Sequence, residues 1–140
     1  MGRVLALDHG TVRVGVAISD AIRLTAQPHG NLERRDPELL NRLRALTDEF
    51  DVEEIVVGLP VSLDGSEGRA AAEARAFAAE VAEGTGLPVV LHDERFSSVT
   101  AERILLQANV RRNKRRDVRD RLAATIFLQS YLDADDLEHP

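Results

Sequence analysis

Arg3-Val4-Leu5-Ala6-Leu7-Asp8-His9, then Gly10-Thr11-Val12, then Arg13-Val14-Gly15-Val16-Ala17-Ile18-Ser19 is the stretch that decides the fold. Its first segment is apolar at both alternating positions as far as Asp8, the pattern of a strand covered on both faces and therefore central in its sheet. The second apolar segment follows so soon that a hairpin is the natural connection. A third extended stretch, Leu24 to Leu32, contains Pro28 and belongs at a sheet edge or strand end, because proline has no N–H to give to a ladder. Three antiparallel strands are thus expected to open the fold.

Beyond this point the period changes. Asp36-Pro37-Glu38 reads as N-cap, first-turn proline and dipole-favouring acid, and Leu39, Leu40, Leu43, Leu46 and Phe50 follow at helical spacing. Glu54 to Leu59 is a buried strand ended by Pro60, and Val61 to Gly68 is a turn-rich loop containing Asp64-Gly65. An alanine-rich helix from about Glu67 to Glu83 should turn Ala70, Ala74, Phe77 and Val81 inward and close at Gly84 and Gly86. Leu87 to His92 is a short strand with Glu94 at its end. A helix led by Ser97 or Ser98 and a last helix beginning near Asp117 complete the chain, separated by a basic loop. The order β-β-β-α-β-α-β-α-α predicts an α/β fold whose mixed five-stranded sheet, three antiparallel strands followed by two parallel ones, is flanked by helices.

Composition agrees with one domain spanning 1–140, with an acidic tail from about Asp133 expected to be frayed. The chain has 140 residues, 44% of them hydrophobic and 30% charged, which is enough to bury a core without staples. It contains no cysteine, so disulfides, cysteine–zinc sites and thiol nucleophiles are excluded. The first apolar run meets Asp8 too early for a signal peptide, and no stretch approaches a membrane span; a cytoplasmic protein without a membrane partner is expected. The net charge of −6 hides an asymmetry. From Arg111 to Arg121, seven basic residues (Arg111, Arg112, Lys114, Arg115, Arg116, Arg119 and Arg121) oppose Asp117 and Asp120, a local charge of +5 on an otherwise acidic chain. Such a run supplies a phosphate-tracking surface, or is simply a solvated loop.

Three carboxylates are forced inward by the apolar pattern. Asp8 shares a strand face with Val4 and Ala6, and burying it there without a partner is expensive. Glu94 directly follows an apolar strand. Asp120 precedes Ala123, Ala124, Phe127 and Tyr131 by three, four, seven and eleven residues, which sets it on their helix face. If strands Val4–Asp8, Ile55–Gly58 and Val89–His92 lie parallel and adjacent, Asp8 and Glu94 emerge together at the carboxyl end of the sheet, where ligand crevices form. Three converging carboxylates repel unless a hard cation lies between them, and oxygen-only donors favour Mg²⁺ or Mn²⁺. The bland alternative gives Asp8 a turn, Glu94 an ion pair with Arg95 or Arg13, and Asp120 an ion pair inside the basic run.

The chain is similar to the YqgF/RuvX family, described both as Holliday-junction resolvases and as pre-16S rRNA nucleases. The likeness rests on Leu7-Asp8-His9-Gly10 with Arg13-Val14-Gly15-Val16-Ala17, on Ala26-Gln27-Pro28, and on Val57-Gly58-Leu59-Pro60 with Asp64-Gly65-Ser66-Glu67. It continues through Asp93-Glu94-Arg95-Phe96-Ser97 and Asp120-Arg121-Leu122-Ala123-Ala124 to Leu128-Gln129-Ser130-Tyr131-Leu132. The order and spacing of these motifs carry it, since each alone is weak. The resemblance implies an RNase H-like fold, with Asp8, Glu94 and Asp120 as metal-binding carboxylates for two Mg²⁺ or Mn²⁺ ions in phosphodiester hydrolysis, and no side-chain nucleophile. Asp117 precedes Asp120 by three residues and is either a fourth ligand or a helix cap. Gly10 would leave space for a backbone phosphate; Arg13 and Arg95 are candidates to hold the scissile phosphate, Arg95 alternatively orienting Glu94. Arg111, Arg112, Lys114, Arg115 and Arg116 would contact nucleic acid beyond the reacting bond. His9 and His92, with no second histidine at ligand spacing, are read as supporting or surface residues.

The expected partner is structured RNA or branched DNA. Maturation of the 5′ end of pre-16S rRNA is the preferred activity and Holliday-junction resolution the alternative, with a monomer or homodimer compatible with the former and a dimer required for the latter. Two readings of another class compete: a non-catalytic RNA-binding assembly factor, and an actin-like ATPase suggested by Asp8-His9-Gly10-Thr11. The latter needs a second similar domain, and the chain shows no internal repeat.

Overall fold

A computed structural model of the chain describes residues 2–93 and 112–138. β1 (Arg3–His9) and β2 (Arg13–Ser19) form the expected antiparallel hairpin, with Leu5 opposite Ile18 and Asp8 opposite Gly15. β3 (Ala26–Glu33) pairs antiparallel with β2 and is the sheet edge on that side. Pro28 sits there as its missing N–H demands, and the register shifts past it, with Gly30 at φ +153°, a conformation that side chains disfavour. β4 (Val52–Leu59) runs parallel to β1, and β5 (Val89–Asp93) runs parallel to β4, so the sheet order is β3-β2-β1-β4-β5. β1 is central, as its two-faced apolar pattern requires.

α1 (Leu39–Glu49) and α2 (Arg69–Thr85) cover one face, and α3 (Arg112–Glu138) crosses the other. Leu5, Leu7, Val14, Val16, Ile55 and Val57 meet Leu39, Leu43, Phe77 and Val81 on the first face. Opposite them, Val4, Ala6, Ala17 and Val56 pack against Ala124, Phe127, Leu128 and Leu132 of α3. Gln129 clamps this helix to the edge strand: its Oε1 accepts from the Ala26 N–H at 2.9 Å while its Nε2 donates to the Leu24 carbonyl at 2.9 Å. Those contacts explain why Ala26 and Gln129, more than a hundred residues apart, belong to one set of motifs.

Several boundaries depart from the sequence pattern. The basic stretch is not a loop from Arg112 onward: α3 begins at Arg112 rather than near Asp117, since Arg and Lys are strong helix formers and need no break. The acidic tail is likewise helical to Glu138, the helix being already propagating when it reaches Asp133. α1 starts at Leu39, with Asp36 one turn earlier, its Oδ1 accepting from the Glu38 N–H at 2.9 Å. α2 starts at Arg69 and buries Ala71, Ala74, Phe77, Ala78 and Val81, leaving Ala70 exposed, because the stripe drifts with a 3.6-residue period. Gly84 lies inside α2, and Gly86 alone supplies the left-handed cap at φ +72°. The helix expected from Ser97 or Ser98 lies outside the described residues.

Candidate active site

Asp8 is the penultimate residue of β1 and half-buried. It stands on the α3 face with Val4 and Ala6, and its partner across the hairpin, Gly15, carries no side chain. On the other flank, β1 pairs with β4 as far as Leu7 opposite Val57, and the next β4 residue is Gly58. A carboxylate therefore stands between two strands whose nearest positions, Gly15 and Gly58, carry no side chain, at the carboxyl end of the parallel strands.

α3 is oriented so that its first half heads toward this end. Its later residues lie over the strand starts: Tyr131 Oη donates a hydrogen bond to Glu54, near the beginning of β4, and Gln129 holds the beginning of β3. From Val4 to Asp8 a strand advances about 13 Å. A helix covers that distance in roughly nine residues, so, running back from Tyr131, it reaches the height of Asp8 near Leu122, two residues after Asp120. Arg112, Lys114, Arg115, Arg116, Asp117 and Asp120 all belong to the backbone of α3 in this half. Their side chains, and Glu94, Arg95 and Arg111 altogether, lie outside the described residues. β5 ends at Asp93, immediately before Glu94, with Leu59 of β4 opposite Asp93. Among the described residues no three His, Asp or Glu side chains converge as a metal cluster.

Gly10 has a reason in the turn itself. Its N–H donates to the Arg13 carbonyl at 2.9 Å, and a Cβ at this position would stand 2.7 Å from that oxygen. Arg13 opens β2 beside the same turn and is partly buried.

The two histidines of the region flank the sheet from opposite faces. His9, facing α2, accepts at Nε2 a 2.8 Å hydrogen bond from Arg34 Nε and packs on Phe77, ring centroids 4.8 Å apart. Burial pushes its pKa below the ordinary imidazole value and the Arg34 guanidinium adds to the effect, in keeping with Nε2 as the acceptor of the Arg34 bond. His92, on β5, packs edge-on to Tyr131 at 5.6 Å and near Phe127, and burial lowers its pKa as well. Both rings pack on aromatic side chains of the helices that cover the sheet.

The loop after β4 is a turn rather than a helix cap. The Asp64 carboxylate accepts from the Ser66 N–H at 2.9 Å and Gly65 takes φ +89°. α2 has no side-chain cap, and Glu67 instead accepts two hydrogen bonds from Arg75, at 2.8 and 3.0 Å, which hold its carboxyl below the usual carboxylate range.

What sequence reasoning missed at this end of the sheet is Arg34-Arg35. The stacked Arg34 guanidinium lies 5.0 Å over the Phe77 ring and its backbone N–H donates to the Val12 carbonyl at 2.9 Å. The signal in the sequence is the pair of adjacent arginines that follows β3, masked in any count of net charge by the acids Glu33, Asp36 and Glu38 around it.

The profile of the RuvX family, described as Holliday junction resolvase, matches residues 2–134. The chain belongs to the RuvX family. Among curated relatives, it is 49% identical over 136 residues to a protein of Geobacillus kaustophilus (strain HTA426) named "Putative pre-16S rRNA nuclease", covering 94% of this chain and 98% of the other. A protein of Halothermothrix orenii with the same name is 45% identical over 131 residues, covering 93% and 94% of the two chains. Among solved structures, Thermus thermophilus RuvC in complex with Holliday junction substrate aligns with TM-score 0.55 at 16% identity over 96% of each chain, a likeness of fold. The RuvX chain thus has the RNase H-like architecture of the RuvC resolvases and belongs to a family of phosphodiester hydrolases. No helix among the described residues of this RuvX protein is long and apolar enough to cross a membrane.

Proposed function

We propose that the chain is a divalent-metal-dependent nuclease of the cytoplasm that hydrolyses phosphodiester bonds in maturing the 5′ end of pre-16S rRNA. The observation that carries this reading is the setting of Asp8: a half-buried carboxylate at the carboxyl end of the central strand, beside glycines, at the end toward which β5 and the first half of α3 also point. The names of the curated relatives support the substrate.

In this reading Asp8, Glu94 and Asp120 hold two Mg²⁺ or Mn²⁺ ions, with Asp117 as a further ligand or as a residue within the first turns of α3. An all-carboxylate donor set around Asp8, opposite Gly15, fits a hard cation. Such ions, when bound, supply a Lewis acid and an activated water at neutral pH. The protein's own part is placement. The hairpin and α3 bring carboxylates from distant parts of the chain to one end of the sheet, and Arg13 and Arg95 hold phosphate oxygens with paired N–H donors. Arg111, Arg112, Lys114, Arg115 and Arg116 track the nucleic-acid backbone beyond the reacting bond.

The description of the family favours a second reading, resolution of a four-way DNA junction, which needs two coordinated sites and hence a homodimer. One experiment separates them: wild type and Asp8→Asn are incubated with a labelled rRNA 5′-leader transcript and a labelled four-way junction, in Mg²⁺, Mn²⁺ and EDTA. Cutting of the transcript in metal but not EDTA, reduced by more than about 100-fold in Asp8→Asn, is expected, a loss beyond that typical of residues that merely support a ligand. Paired symmetric nicks in the junction instead establish the resolvase. Binding of either substrate without cutting, unaffected by Asp8→Asn, overturns the enzymatic reading in favour of an assembly factor.

A further inference from the structure

On the side of β1 opposite Asp8 there is a second opening at the same end of the sheet. The Arg34 N–H bond to Val12 draws the segment after β3 against the β1–β2 turn. Between that segment and α2 lies an open cavity of about 650 Å³, lined by His9, Thr11, Arg34, Arg35, Asp36 and Glu73 among others. His9 directly follows Asp8, so the two side chains leave β1 toward opposite faces of the sheet, both beside the β1–β2 turn.

The lining itself carries two arginines against two carboxylates, but the carboxylates are paired with arginines outside it. Asp36 pairs with Arg42 at 2.6 Å, Glu73 with Arg69 at 3.1 Å, and the neighbouring Glu80 with Arg34 at 3.8 Å. Each carboxylate thus has its own guanidinium. Arg35 is left over: it is exposed and, among the described residues, makes no hydrogen bond or ion pair. Arg34, by contrast, is held in place, Nε on His9 and its plane over Phe77, while its ion pair with Glu80 is long. A guanidinium fixed in this way loses little freedom when it takes a further acceptor. The far end of the sheet has the opposite character, a hollow of about 490 Å³ edged by Asp48, Asp51 and Glu53, which repels a polyanion.

The geometry points to a backbone-phosphate subsite in this cavity: Arg35 and Arg34, with the Thr11 hydroxyl, take a non-bridging phosphate of the bound nucleic acid on the far side of the β1–β2 turn from the cleaved bond. The inference rests on the nuclease reading of the Asp8 site and adds to it a direction, the strand passing from Asp8 over residues 10–12 toward the β3–α1 connection. Phosphate contacts position a strand without reading its bases, so the subsite acts on RNA or DNA alike and on binding rather than on the chemical step.

The test uses the full chain as wild type, Arg35→Ala, Arg35→Glu, and Arg44→Ala as a charge control on another exposed arginine, of α1. Binding of a fluorescein-labelled rRNA leader transcript and a labelled four-way junction is followed by anisotropy in EDTA across a salt series, and cleavage kinetics are taken in Mg²⁺. Arg35→Ala should weaken binding several-fold and lower the salt slope by about one phosphate contact, Arg35→Glu should weaken it at least about tenfold, and Arg44→Ala should change neither. KM should rise with kcat retained. Equal affinity and salt slope in wild type and Arg35→Glu overturn the subsite while leaving the nuclease reading standing. A wild type that binds and cuts neither probe overturns both.

Discussion

The two faces of the sheet are built from different materials. Toward α1 and α2 the strands present Leu5, Leu7, Val14, Val16, Ile55 and Val57, and the helices answer with Leu43, Phe77 and Val81. Toward α3 the strands present Val4, Ala6 and Ala17, and the helix answers with Ala124 beside Phe127 and Leu128. Burial stabilises in proportion to apolar area, about 25 cal/mol per Å², so the first face is the larger share of the core. The second gives up bulk for proximity. With alanines on both sides the backbone of α3 can approach the strands, and the residues on its first half are carried toward the end of β1. The face that stabilises most is thus not the one that bears Asp8, and substitutions on the two should fail in different ways.

The largest effect is expected on the bulky face. Phe77→Ala removes a fully buried ring that also supports His9 and Arg34, and should lower unfolding free energy by about 3–5 kcal/mol in urea titration. A loss under about 1 kcal/mol would mean that the face rearranges to fill the hole, and that the two faces differ less than their composition suggests. Next comes Ala124→Leu, an insertion of bulk where alanine is fully buried against the sheet; about 1–3 kcal/mol of stability should go. Because the helix must move outward, nuclease activity should fall by more than the change in folded fraction accounts for. Activity that merely tracks the folded fraction would show that the approach of α3 has no part in the site. Smallest is Tyr131→Phe, which keeps the ring but removes its hydrogen bond to Glu54 and should cost about 0.5–1.5 kcal/mol by thermal or urea unfolding, with activity retained. A large loss of activity there would place the far end of α3 in the catalytic machinery and break the distinction drawn between its two halves.

The hydrophobic pattern made much of this legible. β1 and β2 begin and end where Val4–Leu7 and Val14–Ile18 imply, and Pro28 marks an edge strand because its chemistry leaves few other positions. The face of Asp8 is likewise readable, since strand periodicity leaves only two choices and Asp8 falls with Val4 and Ala6, on the face that α3 covers. Less was legible wherever propensity is smooth. The sequence from Arg112 to Arg121 has no breaker, and its run of repelling charges reads as a loop where strong helix formers in fact begin α3. Ala70 and Ala71 are indistinguishable by composition, so the drift of the α2 stripe could only be seen against the sheet it packs on.

Local chemistry in the chain determined the element types, the central place of β1, the edge place of β3 and the family, because periodicity, proline and ordered motifs are properties of residues near one another. Which distant residues share a neighbourhood was decided by tertiary structure alone. Gln129 reaches Ala26, Tyr131 reaches Glu54, and Arg34 reaches His9, Phe77 and Val12 only once the sheet order β3-β2-β1-β4-β5 exists. Charge in particular is not additive along a chain. Arg34 and Arg35 sit in a segment rich in acids, and only folding pairs Asp36 with Arg42, Glu73 with Arg69 and Glu80 with Arg34 and sets Arg35 at an open cavity.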